Sequence, residues 1–270
     1  MIKISIVNHS TLFSDDALKT AANAIQIQVT RDVYPVWGFN AQLYYTPKGK
    51  HPTPDHWVVG IFDDADQAGA LGYHDVTVTG LPLAKVFARL TLAQGATIEE
   101  VISHETIEML GDPDISLTVE VDDASGKPSK LLARELCDSP EDSVYNYTID
   151  TDGKKIPVSD FVTPAWFESF NKTGPYDFMK KISKPFEILP GGYIGYLDLG
   201  NLAAGWQQML GKSPASTSQS RGAASLQWQA RSRPHLGSRR SKRRLPRNQW
   251  IPSVYTGASE SIPAKAVVTS

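Results

Sequence analysis

The sequence predicts an α/β domain, in an α+β arrangement, over residues 1–200 and a separate basic arm over residues 213–270. Three observations carry this. Short runs with β patterning surround two segments of helical periodicity in the first half of the chain. Hydrophobic residues make up 41% of the chain and charged residues 21%, the balance of a protein that builds a core. Charge is also unevenly divided. Of 27 basic and 29 acidic residues, residues 211–270 hold 11 and one (Glu260), leaving 16 and 28 for the rest, so the tail is +10 and the body −12.

Ile2 to Val7 alternates as a strand does. Ser14 followed by Asp15 and Asp16 supplies an N-cap and an acidic first turn, and Leu18, Ala22, Ile25 and Val29 recur at helical spacing, which predicts a helix over 15–31. Phe39–Thr46 and Trp57–Phe62 read as strands separated by a loop containing Pro47, Gly49, Pro52 and Pro54. Leu71–Val78 and Lys85–Leu90 read as two more. Thr97 and Glu100 then form a capping box, Ile98, Val101, Ile102 and Met109 supply apolar positions, and Gly111 with Pro113 ends the helix. Beyond 114 the pattern weakens. Leu117–Val121 and Lys130–Cys137 suggest a hairpin, Val158–Phe170 is rich in aromatics, and Pro185–Leu199 contains the turn Pro190-Gly191-Gly192. No apolar run approaches the roughly 20 residues of a membrane span. The N-terminus lacks the layout of a signal peptide, so a cytoplasmic or virion-associated location is expected. The single cysteine, Cys137, excludes an internal disulfide and reads as buried.

The chemistry concentrates in His104-Glu105-Thr106-Ile107-Glu108-Met109-Leu110-Gly111-Asp112-Pro113-Asp114. On a helix, positions i and i+4 share a face, so His104 and Glu108 can grip one ion. Glu105 is turned about a quarter of a revolution away and can take a proton from a water attacking a carbonyl. Gly111 lets the chain leave the helix sharply, so that Asp112 or Asp114 can return to the ion. The plain alternative is a solvated acidic helix end.

This segment resembles the metzincin motif His-Glu-x-x-His-x-x-Gly-x-x-His/Asp at His104, Glu105, Gly111 and Asp114. The order of elements over residues 1–115 is similar to the upper subdomain of the zincin metallopeptidases. The resemblance implies a twisted mixed sheet with a backing helix and an active-site helix, an upper part over 1–115 and a lower part over 116–200. It implies a divalent metal, Zn²⁺ among the candidates, on His104, Glu108 and Asp114, with Glu105 as catalytic base and a peptide or protein as substrate. Glu108 stands where the family has its second histidine, and a His, Glu, Asp set carries two negative charges. That makes a poorer Lewis acid and favours harder cations, so altered or lost catalysis and an absent metal stand as alternatives. No Met-turn is recognisable, Met179 lying far downstream. The chain also resembles, over most of its length, a broad group of uncharacterised bacterial and phage proteins, through Gly72-Tyr73-His74-Asp75, Glu135-Leu136-Cys137-Asp138 and Pro185–Gly192 as well as the helix motif.

Further oxygen donors are expected from Glu135 and Asp138, which read equally well as surface acids. Tyr73 and His74 fall on the strand that in zincins pairs with extended substrate, and His74 reads more readily as an ordinary half-buried histidine. Tyr145, Tyr147, Trp166, Phe167 and Phe170 read as core, and Asp63-Asp64-Ala65-Asp66 as a solvated turn rather than a Ca²⁺ loop. In the arm, Arg239, Arg240, Lys242, Arg243 and Arg244, with Trp228, Trp250 and Tyr255 as anchors, fit a second copy, an acidic protein face or nucleic acid. The expected function is metal-dependent peptide-bond hydrolysis. The alternatives are a non-catalytic assembly protein, such as a virion component, using the arm for contacts, and a nucleic-acid-associated protein.

Overall fold

A computed structural model describes residues 1–212 together with Glu260 and Ser261. The basic run Arg239–Arg244 and Trp228, Trp250 and Tyr255 lie outside the described residues.

β1 (Ile2–Asn8) sends Ile4 and Ile6 into the main core. Ser14 then caps α1 (Asp15–Ile27), its hydroxyl accepting the Ala17 N–H at 3.2 Å, and Leu18, Ala22 and Ile25 are buried as their spacing predicts. Val29 is buried too, but in a π-helical segment, Gln28–Val33, that replaces the last turn of the expected helix. The wider turn carries Gln28 inward, where its amide donates to the Ser159 carbonyl at 2.9 Å and its Oε1 accepts the Ser103 hydroxyl at 2.7 Å. Those partners come from distant parts of the chain, so local periodicity could not register them. A short α2 (Tyr34–Trp37) follows and ends on Gly38 at φ +76°.

β2 (Ala41–Thr46), β3 (Trp57–Phe62), β4 (Gly72–Val76) and β5 (Pro82–Phe87) complete the first sheet. β1 lies parallel to β2 and β3, β3 parallel to β5, and β4 antiparallel to β5 at the edge. At the other edge the tail residues Glu260–Ser261 form β12, antiparallel to β2. The expected strand over Lys85–Leu90 instead ends at Phe87, because Ala88 opens α3 (Ala88–Ala93), where Thr91 bonds back to the Phe87 carbonyl at 2.8 Å.

α4 (Ile98–Gly111) is capped by Thr97, whose hydroxyl accepts the Glu100 N–H at 3.4 Å and donates to the Glu100 carboxylate at 3.1 Å. Every residue of α4 except Glu99 is buried. The reason is its position between two cores. Val101, Ile102 and Met109 join the core beneath the first sheet, while Ile107 joins a second built from Leu136, Phe161, Val162, Trp166 and Ile194. A helix so placed cannot be the solvated acidic surface that its composition also allowed.

A second, four-stranded antiparallel sheet has the order β11-β10-β7-β6, from β6 (Thr118–Asp122), β7 (Pro128–Ala133), β10 (Tyr193–Asp198) and β11 (Trp206–Leu210). β11 carries this sheet past residue 200. The β6–β7 hairpin stops at Ala133, so the end of the expected strand, Arg134–Cys137, is not strand. A further hairpin, β8 (Tyr147–Thr151) with β9 (Lys154–Val158), buries Ile149, Ile156 and Val158 with α1 and α4. Its turn, Asp152-Gly153, has both φ angles positive, at +53° and +77°, the geometry that closes a two-residue hairpin. Of the aromatics expected in the core, Trp166 is fully buried, whereas Phe170 is exposed. No helix among the described residues is long and apolar enough to cross a membrane.

Candidate metal centre

α4 brings His104 and Glu108 together as the i, i+4 spacing predicts, with His104 Nε2 at 3.3 Å from Glu108 Oε2. β4 contributes the next group. Residues 72 and 74 share one face of the strand by its period of two, and that face looks onto α4. His74 Nδ1 lies 3.6 Å from Glu108 Oε2 and 3.8 Å from Glu105 Oε2, and its Nε2 lies 3.6 Å from Glu135 Oε2. Gly72 makes the space in which Glu105 lies: a Cβ there would stand 2.6 Å from Glu105 Oε1 and 2.9 Å from the Lys85 carbonyl oxygen.

The remaining groups come from the stretch after β7. Asp138 Oδ1 is 3.5 Å from His104 Nε2. Backbone bonds pin this stretch: Val162 N–H donates to the Leu136 carbonyl at 2.8 Å, Tyr193 N–H to Asp138 at 2.9 Å and Leu189 N–H to Ser139 at 3.0 Å. Gly192 permits the approach, since a Cβ there would collide with the Ser139 and Asp138 carbonyl oxygens. Cys137 N–H donates to Glu108 Oε1 at 3.3 Å, which leaves Oε2 aimed at the two histidines.

All six groups are between 0% and 4% exposed, so four carboxylates and two imidazoles share an interior site. Burial raises the Glu108 carboxyl to about 8, with the Asp138 charge adding to it and His104 opposing. Burial alone would lower the pKa of His104, but Glu108 and Asp138 outweigh it and hold the ring well above its ordinary value. His74 is likewise raised, by Glu135, Glu105 and Glu108 against the effect of burial. Burial pushes the Cys137 thiol up, and Cys137 belongs to neither group of candidate ligands.

The donor set fits a divalent cation. The imidazole–carboxylate separations run from 3.3 to 3.8 Å, longer than good hydrogen bonds. Atoms held ~2.1 Å from a common ion at tetrahedral angles stand roughly 3.4 Å apart. Glu105 Oε2 and Glu108 Oε2 are buried and accept no hydrogen bond. Two groups with metal-ligand potential form among the described residues: His104, Glu108 and Asp138, and His74, Glu108 and Glu135, each with its ligand atoms within 4.8 Å of one another.

Other predicted donors lie elsewhere. Asp114 is exposed on the turn after α4 and outside both groups, so the expectation that it returns to the ion is not met. Asp112 is buried, but its Oδ1 accepts the N–H groups of Ser116 and Leu117 at 2.9 and 3.1 Å, which closes the turn leaving the helix. Tyr73 sits on β4 with its hydroxyl turned to Asp66, at 3.0 Å. In the acidic turn, Asp63 accepts from Ser10 and Thr11, Asp64 pairs with Arg89 and Asp66 with Lys85. His74 joins the cluster rather than being a half-buried bystander. The available signal was Gly72 and His74 two apart on an edge strand; nothing local ranked Asp138 and Glu135 above Asp114. No family model, curated protein or solved structure matches the chain.

Proposed function

We propose that the domain is a zincin-like, metal-dependent hydrolase of peptide bonds, with Glu105 as its general base. The observation that carries this reading is the convergence of His104, Glu108 and Asp138 in one buried site, with Glu105 next to His104 on the same helix. Those three residues would hold the cation, which would supply Lewis acidity toward a carbonyl. Glu105 does the proton work. Its Oε2 accepts no hydrogen bond and stands 3.8 Å from His74 Nδ1, so it can take a proton from water and pass it to the leaving amine. Gly72 fixes where that carboxylate lies, and Cys137 N–H fixes Glu108. The excess of oxygen donors favours a harder cation than an all-histidine set would. β4, antiparallel and at the sheet edge, is where an extended peptide would add.

The near-complete burial of all six groups favours a second reading, a closed metal centre that serves structure in a non-catalytic assembly protein. Metal analysis of the purified full chain, with cleavage of an unfolded protein such as casein by wild type and Glu105→Gln, separates the two. The hydrolase reading expects bound metal in both proteins and at least about a 10²-fold loss of cleavage in the variant. Bound metal without cleavage by wild type would leave the structural reading. Failure to bind Zn²⁺ or Mn²⁺ at all would overturn both.

A further inference from the structure

The two groups described above meet at one residue. Glu108 belongs to both, and its Oε2 stands beside both histidines, 3.3 Å from His104 Nε2 and 3.6 Å from His74 Nδ1. That oxygen is buried and accepts no hydrogen bond. On either side stands one imidazole with one further carboxylate, Asp138 beside His104 and Glu135 beside His74. Resting on the metal-centre reading, we propose that this site takes two divalent cations, one between His104, Glu108 and Asp138 and one between His74, Glu108 and Glu135, with Glu108 shared.

Charge points the same way. Glu105, Glu108, Glu135 and Asp138 bring four carboxylates into an interior where each is at most 2% exposed, and an imidazole that ligates a cation gives up its proton and adds no charge. With every ligand in its deprotonated form, two divalent ions match the formal charge of the four carboxylates, and one matches only half of it. A carboxylate common to two cations also screens their mutual repulsion, as centres holding two ions about 3.5–4 Å apart require. The sequence places the two imidazoles on separate elements. His104 and Glu108 come from α4, His74 from β4, and Glu135 and Asp138 from the stretch after β7. Each imidazole can therefore be removed without deleting a donor of the other half.

The test is a count. The full chain is equilibrated with Zn²⁺, and separately with Mn²⁺, and bound metal is measured per chain. Two ions of either metal are expected. Saturation at one with both metals overturns the two-ion assignment and leaves a single metal centre standing; none with either overturns the metal-centre reading as well. In H74A the count should fall from two to one, and retention of two would overturn the assignment of His74. Should H74A not fold, electron paramagnetic resonance of the wild-type chain carrying two Mn²⁺ decides. A spin-coupled spectrum is expected from ions sharing Glu108, and two independent Mn²⁺ signals would overturn the sharing.

Discussion

Gly72→Ala tests whether β4 holds Glu105 in place. The added Cβ would lie 2.6 Å from Glu105 Oε1, 2.9 Å from Glu105 Cγ and 2.9 Å from the Lys85 carbonyl oxygen. The carbonyl belongs to the paired strand β5 and cannot yield without breaking register, so the carboxylate must move. Overpacking of this kind costs about 1–3 kcal/mol. The narrower unfolded ensemble of alanine returns about 0.4–1 kcal/mol, leaving a net loss of about 1.3 kcal/mol at the midpoints of the two ranges. For a domain of this size that lowers the Tm by about 3–5 °C. Gly195→Ala is the control, because its Cβ would meet nothing closer than Ala133 Cβ at 3.5 Å, so only the unfolded-state gain remains and the Tm should hold or rise by about 1–4 °C. Calorimetry of the three proteins reads the stability, and cleavage at saturating metal reads the position of Glu105. The expected outcome is a destabilised Gly72→Ala that retains metal and loses at least about 10-fold in turnover, since a displaced base is misaligned. An unchanged Tm together with unchanged turnover would refute the argument that Gly72 positions Glu105.

Three further outcomes follow from other parts of the structure. Burial, with the neighbouring Asp177, raises Asp160 from 3.8 to about 9, so between those values the folded chain holds a proton that the unfolded chain has released. The stability this contributes is complete below about pH 4 and is lost as pH rises toward 9, at up to about 1.4 kcal/mol per pH unit; Asp160→Asn should flatten that slope in urea titrations at pH 5 and 8, and parallel slopes would dismiss the proton. Ser103→Ala removes a buried hydroxyl that donates to Gln28 Oε1 at 2.7 Å and accepts the Ser159 N–H at 3.0 Å, and should cost about 1–3 kcal/mol in urea unfolding; a loss under 0.5 kcal/mol, on the order of a surface change, would show the network to be dispensable. Glu105→Gln should keep the wild-type metal count while cleavage falls, and a lost ion would make Glu105 a ligand rather than the base.

The sequence by itself determined the helix that carries the chemistry and one contact within it. Thr97, Glu100 and Gly111 bound α4, and a helical turn brings His104 to Glu108 whatever surrounds it, because residues four apart share a face. The strand β1 was legible for a similar reason, since alternation with a period of two is a local property. The π-helical segment was not, because Gln28 is drawn inward by Ser103 and Ser159. The donors beyond α4 were decided by tertiary structure. Asp114 matched the motif by spacing, yet the turn held by Asp112 leaves it exposed. Asp138 and Glu135 reach the histidines because backbone bonds from Val162, Leu189 and Tyr193, with the clearance left by Gly192, steer their segment under α4. His74 faces Glu108 because β4 pairs with β5 in a register that turns residues 72 and 74 toward the helix. Spacing along a chain reports neighbours within a turn or a strand; which acids share an ion depends on contacts between segments, and those are set by packing and pairing across the fold.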